Sequence, residues 1–188
     1  NIILFGPPGA GKGTQADKIV KAFSSYKIST GDLLREEIHN KTELGIKIKS
    51  IIDSGNLVSD DIINDLIIGI LSDKKFYNRL IFDGYPRNLN QAKKLDLLIT
   101  KHNQNISCVF SLNVDRDVIL KRILGRQTCS KCGLIFNKYF IPSTNTNHAC
   151  DPKFLVTRSD DNEDIIISRY ETYLSKTLPL LNFYKEQN

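Results

Sequence analysis

Short apolar runs alternate along the chain with longer segments whose apolar residues recur at helical spacing. The short runs predict buried β-strands, and they are NIILF at 1–5, KIS at 27–29, RLIFDG at 79–84 and NISCVFSLNV at 105–114. The segment TQADKIVKAF instead places Ala16, Ile19 and Phe23 on one face, which predicts a helix. Strands that alternate with helices favour a parallel sheet joined by crossover connections.

One segment, between residues 127 and 157, breaks this alternation and predicts an inserted module built on a small β-hairpin. Before it, residues 32–78 are predicted to be mostly helical, with breaks near Gly45 and Asn56. DRDVILKRIL also predicts a helix, with Asp115 as its N-cap. After the module, SDDNEDIIISRYETYLSKTL is again helical by pattern, with acidic residues in its first turn, where the helix dipole favours them.

The composition is that of an ordinary soluble globular protein, because 40% of the 188 residues are hydrophobic and 25% are charged. No apolar run approaches the roughly 20 residues that span a bilayer, and the first residues lack the basic leader of a signal peptide. The net charge of +5 comes without a dense block of Lys and Arg, which favours phosphate ligands over nucleic acid. We therefore expect no membrane and no nucleic-acid partner, and a location in the cytoplasm or in an organellar matrix.

A glycine-rich loop follows the first predicted strand. FGPPGAGKGTQ matches the pattern G-x-x-x-x-G-K between a strand and a helix, the setting in which this motif binds phosphate. Its glycines let backbone N–H groups turn toward an anion, and Lys12 adds a cation. The next residue is Gly13 rather than the usual Ser or Thr, with Thr14 one place later, which leaves a role of this hydroxyl with Mg²⁺ open. The alternative, a glycine-rich turn without a ligand, fits this combination of features less well.

Arginines and one aspartate follow the predicted strand ends or flank the inserted module. The arginines are Arg35, Arg87, Arg122, Arg126, Arg158 and Arg169. The spacing places Arg122 and Arg126 on one helix face, and it does the same for Arg158 and Arg169 if both are helical. Phosphoryl transfer depends on charge stabilisation more than on a general base, so these cations indicate phosphate chemistry. Asp83 ends a predicted strand, where open α/β sheets bind ligands, and is predicted to hold Mg²⁺ through water.

Two of the four cysteines form the stretch TCSKCGLIF. Cys129 and Cys132 are separated by two residues and followed by glycine, which is the spacing of a zinc knuckle. The pair is open to two other interpretations, a metal-free segment with free thiols or a redox pair. Cys108, in the run SCVFSL, is predicted to be a small residue of the core.

Six motifs in order resemble those of adenylate kinases with a long lid. They are FGPPGAGKGTQ, STGDLLR, GNLVSDD, FDGYPRNLNQA, LKRILGR and TRSDDNE, and the match runs over essentially the whole chain. The resemblance implies a nucleoside monophosphate kinase that reversibly transfers the γ-phosphoryl group of ATP to AMP, with Mg²⁺, to give two ADP. The implied role is adenine nucleotide homeostasis, the partners are ATP, AMP and ADP, and a monomer is expected.

The resemblance also implies an α/β fold, a P-loop doubly wound parallel sheet with helices on both faces, a helical AMP-binding insertion and a small β lid. The core would comprise residues 1–29, 59–125 and 159–188, the AMP-binding domain 30–58 and the lid 126–158. Adenylate kinases of this type continue with a further strand and helix after the position of LPLLNFYKEQN, and that strand approaches the base of ATP. Selection between ATP and GTP as the donor stays open.

Site residues follow from the same resemblance, motif by motif. Those assigned to ATP are Gly9, Ala10, Gly11, Lys12, Gly13, Thr14, Arg122 and Arg126. Those assigned to AMP are Thr30, Arg35, Leu57, Val58, Gly84, Arg87, Gln91, Arg158 and Arg169, with Gln91 bonded to adenine. Those assigned to the transfer itself are Lys12, Arg87, Arg122, Arg158 and Arg169.

Many such kinases also carry a second pair of zinc ligands in the lid. Here Cys150 lies near the third ligand position, while the fourth is Lys153, which is not a ligand at neutral pH. His148 is the favoured substitute, with Asp151 as the alternative. The resemblance thus implies a structural Zn²⁺ bound by Cys129, Cys132, Cys150 and His148.

Other functions remain open on the sequence. The nearest is a kinase of another nucleoside monophosphate or one that uses GTP, against which Gln15 and Gln91 favour ATP and AMP by resemblance. A nucleic-acid-binding module would use Phe136, Tyr139 and Phe140, which are instead predicted to fill the small core of the lid. A nucleotide-dependent switch would need a water-positioning residue, and none is evident.

Overall fold

Four parallel strands form the central sheet of the computed structural model, which describes residues 1–144 and 146–187. The strands are β1 (Ile2–Phe5), β2 (Tyr26–Ser29), β3 (Leu80–Asp83) and β4 (Cys108–Ser111), which confirms the four predicted strands. They lie in the order β2-β3-β1-β4, so β1 pairs with β3 on one side and β4 on the other. The connection after β1 leads to β2 on one side, whereas the connection after β3 leads to β4 on the other side. The direction therefore reverses between β1 and β3, and open α/β sheets bind ligands at such a switch point.

Helices connect the strands. In the described residues the α-helices are α1 (Lys12–Phe23), α2 (Thr30–His39), α3 (Glu43–Asp53), α4 (Asp60–Leu71), α5 (Leu89–Lys101), α6 (Arg116–Leu124), α7 (Glu163–Thr172) and α8 (Leu180–Lys185). A π-helical segment, Tyr173–Thr177, follows α7 directly. Short 3₁₀ turns lie at Lys74–Phe76 and Pro152–Phe154.

Alternate residues of β1 point to opposite faces of the sheet, and different helices cover them. Leu4 packs with Ala16 of α1, whereas Ile3 and Phe5 belong to a larger core that includes residues of α4, α5 and α8. Because both faces are buried, the strand is an uninterrupted apolar run in the sequence. The predicted doubly wound sheet with helices on both faces is confirmed.

The helical break predicted near Gly45 is present, but Gly45 itself does not form it. The chain breaks earlier, between α2 and α3, where Thr42 caps α3 by accepting a hydrogen bond from the N–H of Gly45. Gly45 lies inside α3, and a Cβ atom there would come 2.1 Å from the carbonyl oxygen of Glu37 in α2. Glycine is therefore needed for the close approach of two helices rather than for a turn. The break near Asn56 is confirmed between α3 and α4.

Helix α5 is not among the predicted elements, although its signals are present. Asn88 caps it by accepting a hydrogen bond from the N–H of Gln91, and Ala92, Leu95 and Ile99 are buried at helical spacing.

At α6, Asp115 holds the predicted N-cap position but makes no capping hydrogen bond with its side chain.

A second sheet lies in the inserted segment 126–158, which we call the lid. Its antiparallel strands are β5 (Arg126–Cys129), β6 (Ile135–Asn137) and β7 (Leu155–Val156), in the order β6-β5-β7. This confirms the predicted β-structure and adds a third strand to the expected hairpin.

The prediction that β4 is a buried strand is wrong. Cys108 is only half-buried, and Phe110 is 51% exposed. Within the described residues β4 pairs with β1 alone, so it forms an edge of the sheet.

Across the described residues, no helix combines the length and apolar character needed to cross a membrane.

Candidate active site

The loop between β1 and α1 wraps around the amino group of Lys12. Its Nζ atom donates hydrogen bonds to the carbonyl oxygens of Gly6 at 2.8 Å and Pro7 at 2.9 Å. Gly9 has a φ of +75°, and a Cβ atom there would lie 2.6 Å from the side chain of Ile123, so this position needs glycine. The positive end of α1 and Lys12 lie at the same cavity, which suits an anion.

A large cavity lies beside this loop, with a volume of about 1500 Å³ that includes space open to solvent. Every residue assigned to ATP lines it, namely Gly9, Ala10, Gly11, Lys12, Gly13, Thr14, Arg122 and Arg126. Asp83, Arg87, Arg158 and Arg169 line it as well, and so does the lid. The large cavity is thus bordered by a phosphate-binding loop and by several cations.

The prediction that Arg122 and Arg126 share one helix face is wrong. Helix α6 ends at Leu124, and Arg126 begins β5. Both side chains still reach the large cavity. Arg122 Nη1 donates to the carbonyl oxygen of Ala10 at 3.3 Å, and Arg126 makes a two-pronged ion pair with the carboxylate of Asp161.

The shared helix face of Arg158 and Arg169 is predicted only if both residues are helical, and Arg158 is not. Arg158 lies in the loop after β7, 3.6 Å from Asp32 Oδ1, and Arg169 lies on α7, 2.5 Å from Asp160 Oδ2. Burial lowers the pKa of Arg158 to about 10 and that of Arg169 below its usual range, and neighbouring arginines add to both effects. Such crowding of positive charge favours the binding of a polyanion.

A second, smaller cavity is formed by α2, the loop between α3 and α4, and the start of α5, with a volume of about 550 Å³ that includes space open to solvent. The residues assigned to AMP line it, namely Thr30, Arg35, Leu57, Val58, Gly84, Arg87, Gln91 and Arg169. Arg158 was assigned to the same ligand but lines the large cavity instead. The smaller cavity has apolar lining residues and three arginines, Arg35, Arg87 and Arg169, which suits a base linked to a phosphate.

The two cavities share part of their walls. Arg87 and Arg169 line both, together with Gly31, Arg35 and Gly84. Arg87 Nε donates to the carbonyl oxygen of Gly84 at 2.7 Å. Burial lowers the pKa of Arg87 to about 10, and the charge of Arg169 adds to the effect. A group held at this junction is accessible from both cavities and is surrounded by positive charge.

Asp83 ends β3 at the wall of the large cavity. Burial raises the pKa of its carboxyl group, and the charge of Lys12 opposes this effect. A Cβ atom on Gly13 would lie 3.2 Å from Asp83 Oδ2, so the glycine after Lys12 leaves room for this carboxylate. The arrangement suits a water-mediated contact with Mg²⁺.

Four potential metal ligands meet in the lid. The ligand atoms of Cys129, Cys132, His148 and Cys150 all lie within 4.8 Å of one another. Cys132 Sγ lies 3.6 Å from His148 Nε2, and Ser143 Oγ lies 2.9 Å from His148 Nδ1. Three thiolates and one imidazole fit a tetrahedral structural zinc site, and a ligating histidine is usually held by its other nitrogen in this way.

The thiols and their neighbours also suit a metal. Burial raises the pKa of Cys129, but hydrogen bonds from the backbone N–H groups of Cys132 and Lys131 and from His148 outweigh it and lower the pKa to about 6. Burial and the neighbouring Cys132 and Cys129 side chains raise the pKa of Cys150 to about 11. A cation among the sulfurs would stabilise the thiolates.

The alternative ligand Asp151 lies outside this cluster. Asp151 Oδ1 accepts a hydrogen bond from the backbone N–H of Lys153. Asp151 Oδ2 also forms an ion pair with Lys153 Nζ at 3.4 Å. Of the two candidates for the fourth ligand, His148 and Asp151, the geometry favours His148.

Two of the three aromatic residues predicted to fill the lid core are exposed. Phe136 is 5% exposed and lies 4.7 Å from His148 between ring centroids, whereas Tyr139 and Phe140 are 64% and 51% exposed. The buried side chains among the described residues of the lid are Cys129, Phe136 and His148. Phe140 instead lines the large cavity with Ile135 and Ile141.

Sequence reasoning assigned no role to three carboxylates that contact the site arginines. Asp32 contacts Arg35 and Arg158, while Asp160 and Asp161 pair with arginines of α7 and β5. The sequence does contain a feature that points to Asp160 and Asp161: the motif TRSDDNE places both carboxylates within three residues of Arg158.

A comparison with known families agrees with this geometry. The family described as Adenylate kinase matches residues 4–188. The chain belongs to the adenylate kinase family. It is a nucleoside monophosphate kinase and therefore a phosphotransferase.

Individual adenylate kinases are similar to the chain over its full length. The protein named adenylate kinase in Pelagibacter ubique is 50% identical over 188 residues, which cover all of this chain and 88% of that relative. Adenylate kinases from Fusobacterium nucleatum and Fervidobacterium nodosum are 45% and 43% identical, and the chain covers 87% of each.

Proposed function

We propose that the protein catalyses the reversible transfer of the γ-phosphoryl group of ATP to AMP, which gives two ADP and balances the adenine nucleotides. The observation that carries this proposal is that the two cavities meet at Arg87 and Arg169. One cavity begins at a phosphate-binding loop, and the other contains Gln91, so two nucleotides can bind with their phosphates facing each other. Proximity and electrostatic stabilisation supply most of what phosphoryl transfer requires.

The large cavity holds ATP in this proposal. Backbone N–H groups of residues 9–14 and the amino group of Lys12 bind its phosphates, with Arg122 and Arg126 beside them. Mg²⁺ enters with ATP, and Asp83 would hold it through water, where it neutralises charge on the phosphates.

The smaller cavity holds AMP. Gln91 binds adenine, and residues 55–58 line the base on one side. Arg35 lies in the wall that both cavities share, and Thr30 Oγ1 donates to the carbonyl oxygen of Gly84 in the same wall at 3.1 Å. Both residues therefore bind the phosphate of AMP together with Arg87.

The charge on the transferring group is stabilised by cations around the junction, namely Lys12, Arg87, Arg122, Arg158 and Arg169. The attacking atom is a phosphate oxygen of AMP that carries no proton at neutral pH. The reaction therefore needs positioning and charge stabilisation rather than a general base.

The AMP-binding segment 30–58 and the lid 126–158 are mobile parts that close over the nucleotides, while residues 1–29, 59–125 and 159–188 form the core. In the structure the two segments approach each other: Arg158 of the lid lies 3.6 Å from Asp32, and Ser159 Oγ, next to the lid, donates to Asp53 Oδ1 at 2.8 Å. Closure excludes water, which favours transfer to AMP over hydrolysis. Zn²⁺ bound by Cys129, Cys132, His148 and Cys150 would stabilise the lid, which is too small for a large core of its own.

An acceptor panel tests the proposed substrates. With ATP as donor, ADP formation is measured with AMP, CMP, UMP and GMP, and then with GTP in place of ATP. We expect AMP and ATP to give the highest kcat/KM. Turnover of AMP no better than that of the other acceptors would contradict the proposal. Steep salt-dependent binding to RNA or DNA would instead support the nucleic-acid alternative.

Replacement of Phe140 tests the place of the donor base. Phe140 and the apolar residues Ile135 and Ile141 form a wall of the large cavity. We expect Phe140→Ala to raise the KM for ATP about tenfold, since stacking of a base on an aromatic ring contributes roughly 1–3 kcal/mol. The KM for AMP should not change. Tyr139→Ala is the control, because Tyr139 is the more exposed neighbour; an equal effect of both variants would contradict this placement.

The pH profile tests the role of Lys12. Burial lowers the pKa of its amino group to about 8, although the charge of Asp83 opposes the effect. The charged form is therefore lost as the pH rises through about 8, and kcat/KM for ATP, which reports the free enzyme, should fall there. Lys12→Arg keeps its charge throughout this range, so its lower activity should show no such fall. A wild-type profile that stays flat above this pH would contradict the assignment.

A further inference from the structure

The amide of Gln91 is held at both ends. Gln91 is 2% exposed and lines the smaller cavity. Its Oε1 atom accepts a hydrogen bond from the backbone N–H of Arg87 at 2.8 Å. Its Nε2 atom donates to Oδ1 of Asp60 at 2.7 Å. The side chain is therefore tied to the loop before α5 and to the first residue of α4.

These two partners permit only one orientation of the amide. A backbone N–H can only donate, and an ionised carboxylate can only accept. If the amide of Gln91 turned over, its NH₂ group would face the N–H of Arg87 and its oxygen would face the carboxylate of Asp60. Both buried contacts would then become repulsive, so the observed orientation is fixed by chemistry.

Asp60 is itself held in place. The Nδ2 atom of Asn88 donates to the same Oδ1 atom at 2.9 Å. Asp60 is also the first residue of α4, where the helix dipole favours a negative charge. Two donors thus converge on one oxygen, which makes Asp60 a rigid acceptor for Gln91.

The fixed amide retains one free N–H and one free lone pair. An amide has two donor hydrogens and two acceptor lone pairs, and one of each is used by Asp60 and Arg87. Adenine offers a matching edge, because its exocyclic amino group donates and the adjacent ring nitrogen accepts. Hypoxanthine and guanine present the reverse order, with a carbonyl oxygen beside a ring N–H. An amide free to turn would accept either edge.

We propose that Asp60 is a specificity-determining residue, which holds the Gln91 amide in the orientation that accepts 6-amino purines and rejects 6-oxo purines. The inference rests on the proposed function, which places the acceptor base beside Gln91. Asp60 acts through Gln91 and is therefore a positioning residue. Discrimination arises because a 6-oxo base would leave buried polar groups unpaired.

Inosine monophosphate is the direct probe, because its base differs from adenine only along this edge. The ratio of kcat/KM for AMP to that for IMP is measured in the wild type and in Asp60→Ala, Asp60→Asn and Asp61→Ala. Asp60→Ala should lower the AMP-to-IMP ratio of kcat/KM by about tenfold or more, because tenfold corresponds to the cost of leaving one buried polar group without a hydrogen-bond partner. Asp60→Asn should retain most of the ratio, since Gln91 and Asn88 both donate to a single oxygen that asparagine keeps.

Asp61→Ala is the matched control. Asp61 is the exposed next residue in the same first turn of α4, so it shares the effect on the helix dipole but not the contact with Gln91. The ratio for Asp61→Ala should equal that of the wild type, and unfolding midpoints of the two alanine variants show whether both are folded.

The possible failures are distinguishable. A ratio that is unchanged in Asp60→Ala but collapses in Gln91→Ala would overturn the role of Asp60 and leave the proposed function intact. A uniform loss of activity toward AMP and IMP would also overturn it, since a structural role predicts that result. A ratio unchanged in Gln91→Ala would overturn both the role of Asp60 and the placement of the acceptor base at Gln91, whereas the absence of ADP formation from ATP and AMP in the wild type would overturn the proposed function.

Discussion

Replacement of Arg87 by alanine will lower kcat by about 10³- to 10⁵-fold, the effect of removing an arginine that stabilises the transferring phosphoryl group. Arg87 is the clearest test because it lines both cavities. Its Nε atom donates to the carbonyl oxygen of Gly84, and among the described residues Arg87 forms no ion pair, so alanine breaks no direct contact with a carboxylate there. Initial rates of ADP formation with ATP and AMP measure the loss, and KM for AMP should rise as well.

Arg79→Ala is the matched control. Arg79 is exposed, precedes β3 at the end opposite Asp83, and donates to the carbonyl oxygen of Ser24. We expect its kcat to match the wild type and its stability to change by no more than about 0.5 kcal/mol. If folded Arg87→Ala retained activity within tenfold of the control, the junction of the cavities would not be the place of transfer.

The second large effect concerns the lid. Protein purified without added metal or chelator should contain about one zinc ion per chain, because three thiols and an imidazole form one complete tetrahedral site. Cys129→Ser should weaken zinc binding on the order of 10²-fold or more, since one of four ligands carries roughly 3 kcal/mol of an apparent 10–16 kcal/mol. Competition with a chelator measures the affinity, and hydrogen exchange should show the loss of protection confined to residues 126–158.

Two further variants complete this test. Cys108→Ser should bind zinc like the wild type, since Cys108 lies on β4, outside the cluster. Ser143→Ala should weaken zinc binding about 10- to 100-fold, because Ser143 holds the Nδ1 atom of His148. Protein without zinc, or equal affinity in Cys129→Ser and Cys108→Ser, would support the alternative of a metal-free lid.

Local patterns predict the elements whose signals are local. The four strands follow from short apolar runs, and the phosphate-binding loop follows from glycines and Lys12 between a strand and a helix. Features set by distant contacts are not predictable in this way. Gly45 looks like a helix break, but its role is to admit the backbone of α2. Phe140 looks like a core residue, but it is exposed, and Phe136 is the aromatic residue that packs against the buried His148.

The candidate site shows the same limit. The spacing of the arginines suggests shared helix faces, yet Arg126 and Arg158 lie outside helices and reach the large cavity through the fold of the lid. Their carboxylate partners come from other parts of the chain, as Asp161 does for Arg126. Ordered motifs therefore indicate which residues belong to the site, whereas their contacts depend on the three-dimensional fold.

The most direct test of the central claim follows the γ-phosphoryl group itself. The enzyme is supplied with Mg²⁺, AMP and ATP that carries a radioactive γ-phosphate, and the products are separated at early times. We predict that the label appears in ADP, with two ADP formed for each ATP consumed and no release of inorganic phosphate. Label released as inorganic phosphate, at a rate that does not depend on AMP, would show a nucleotide hydrolase and contradict transfer between the two cavities.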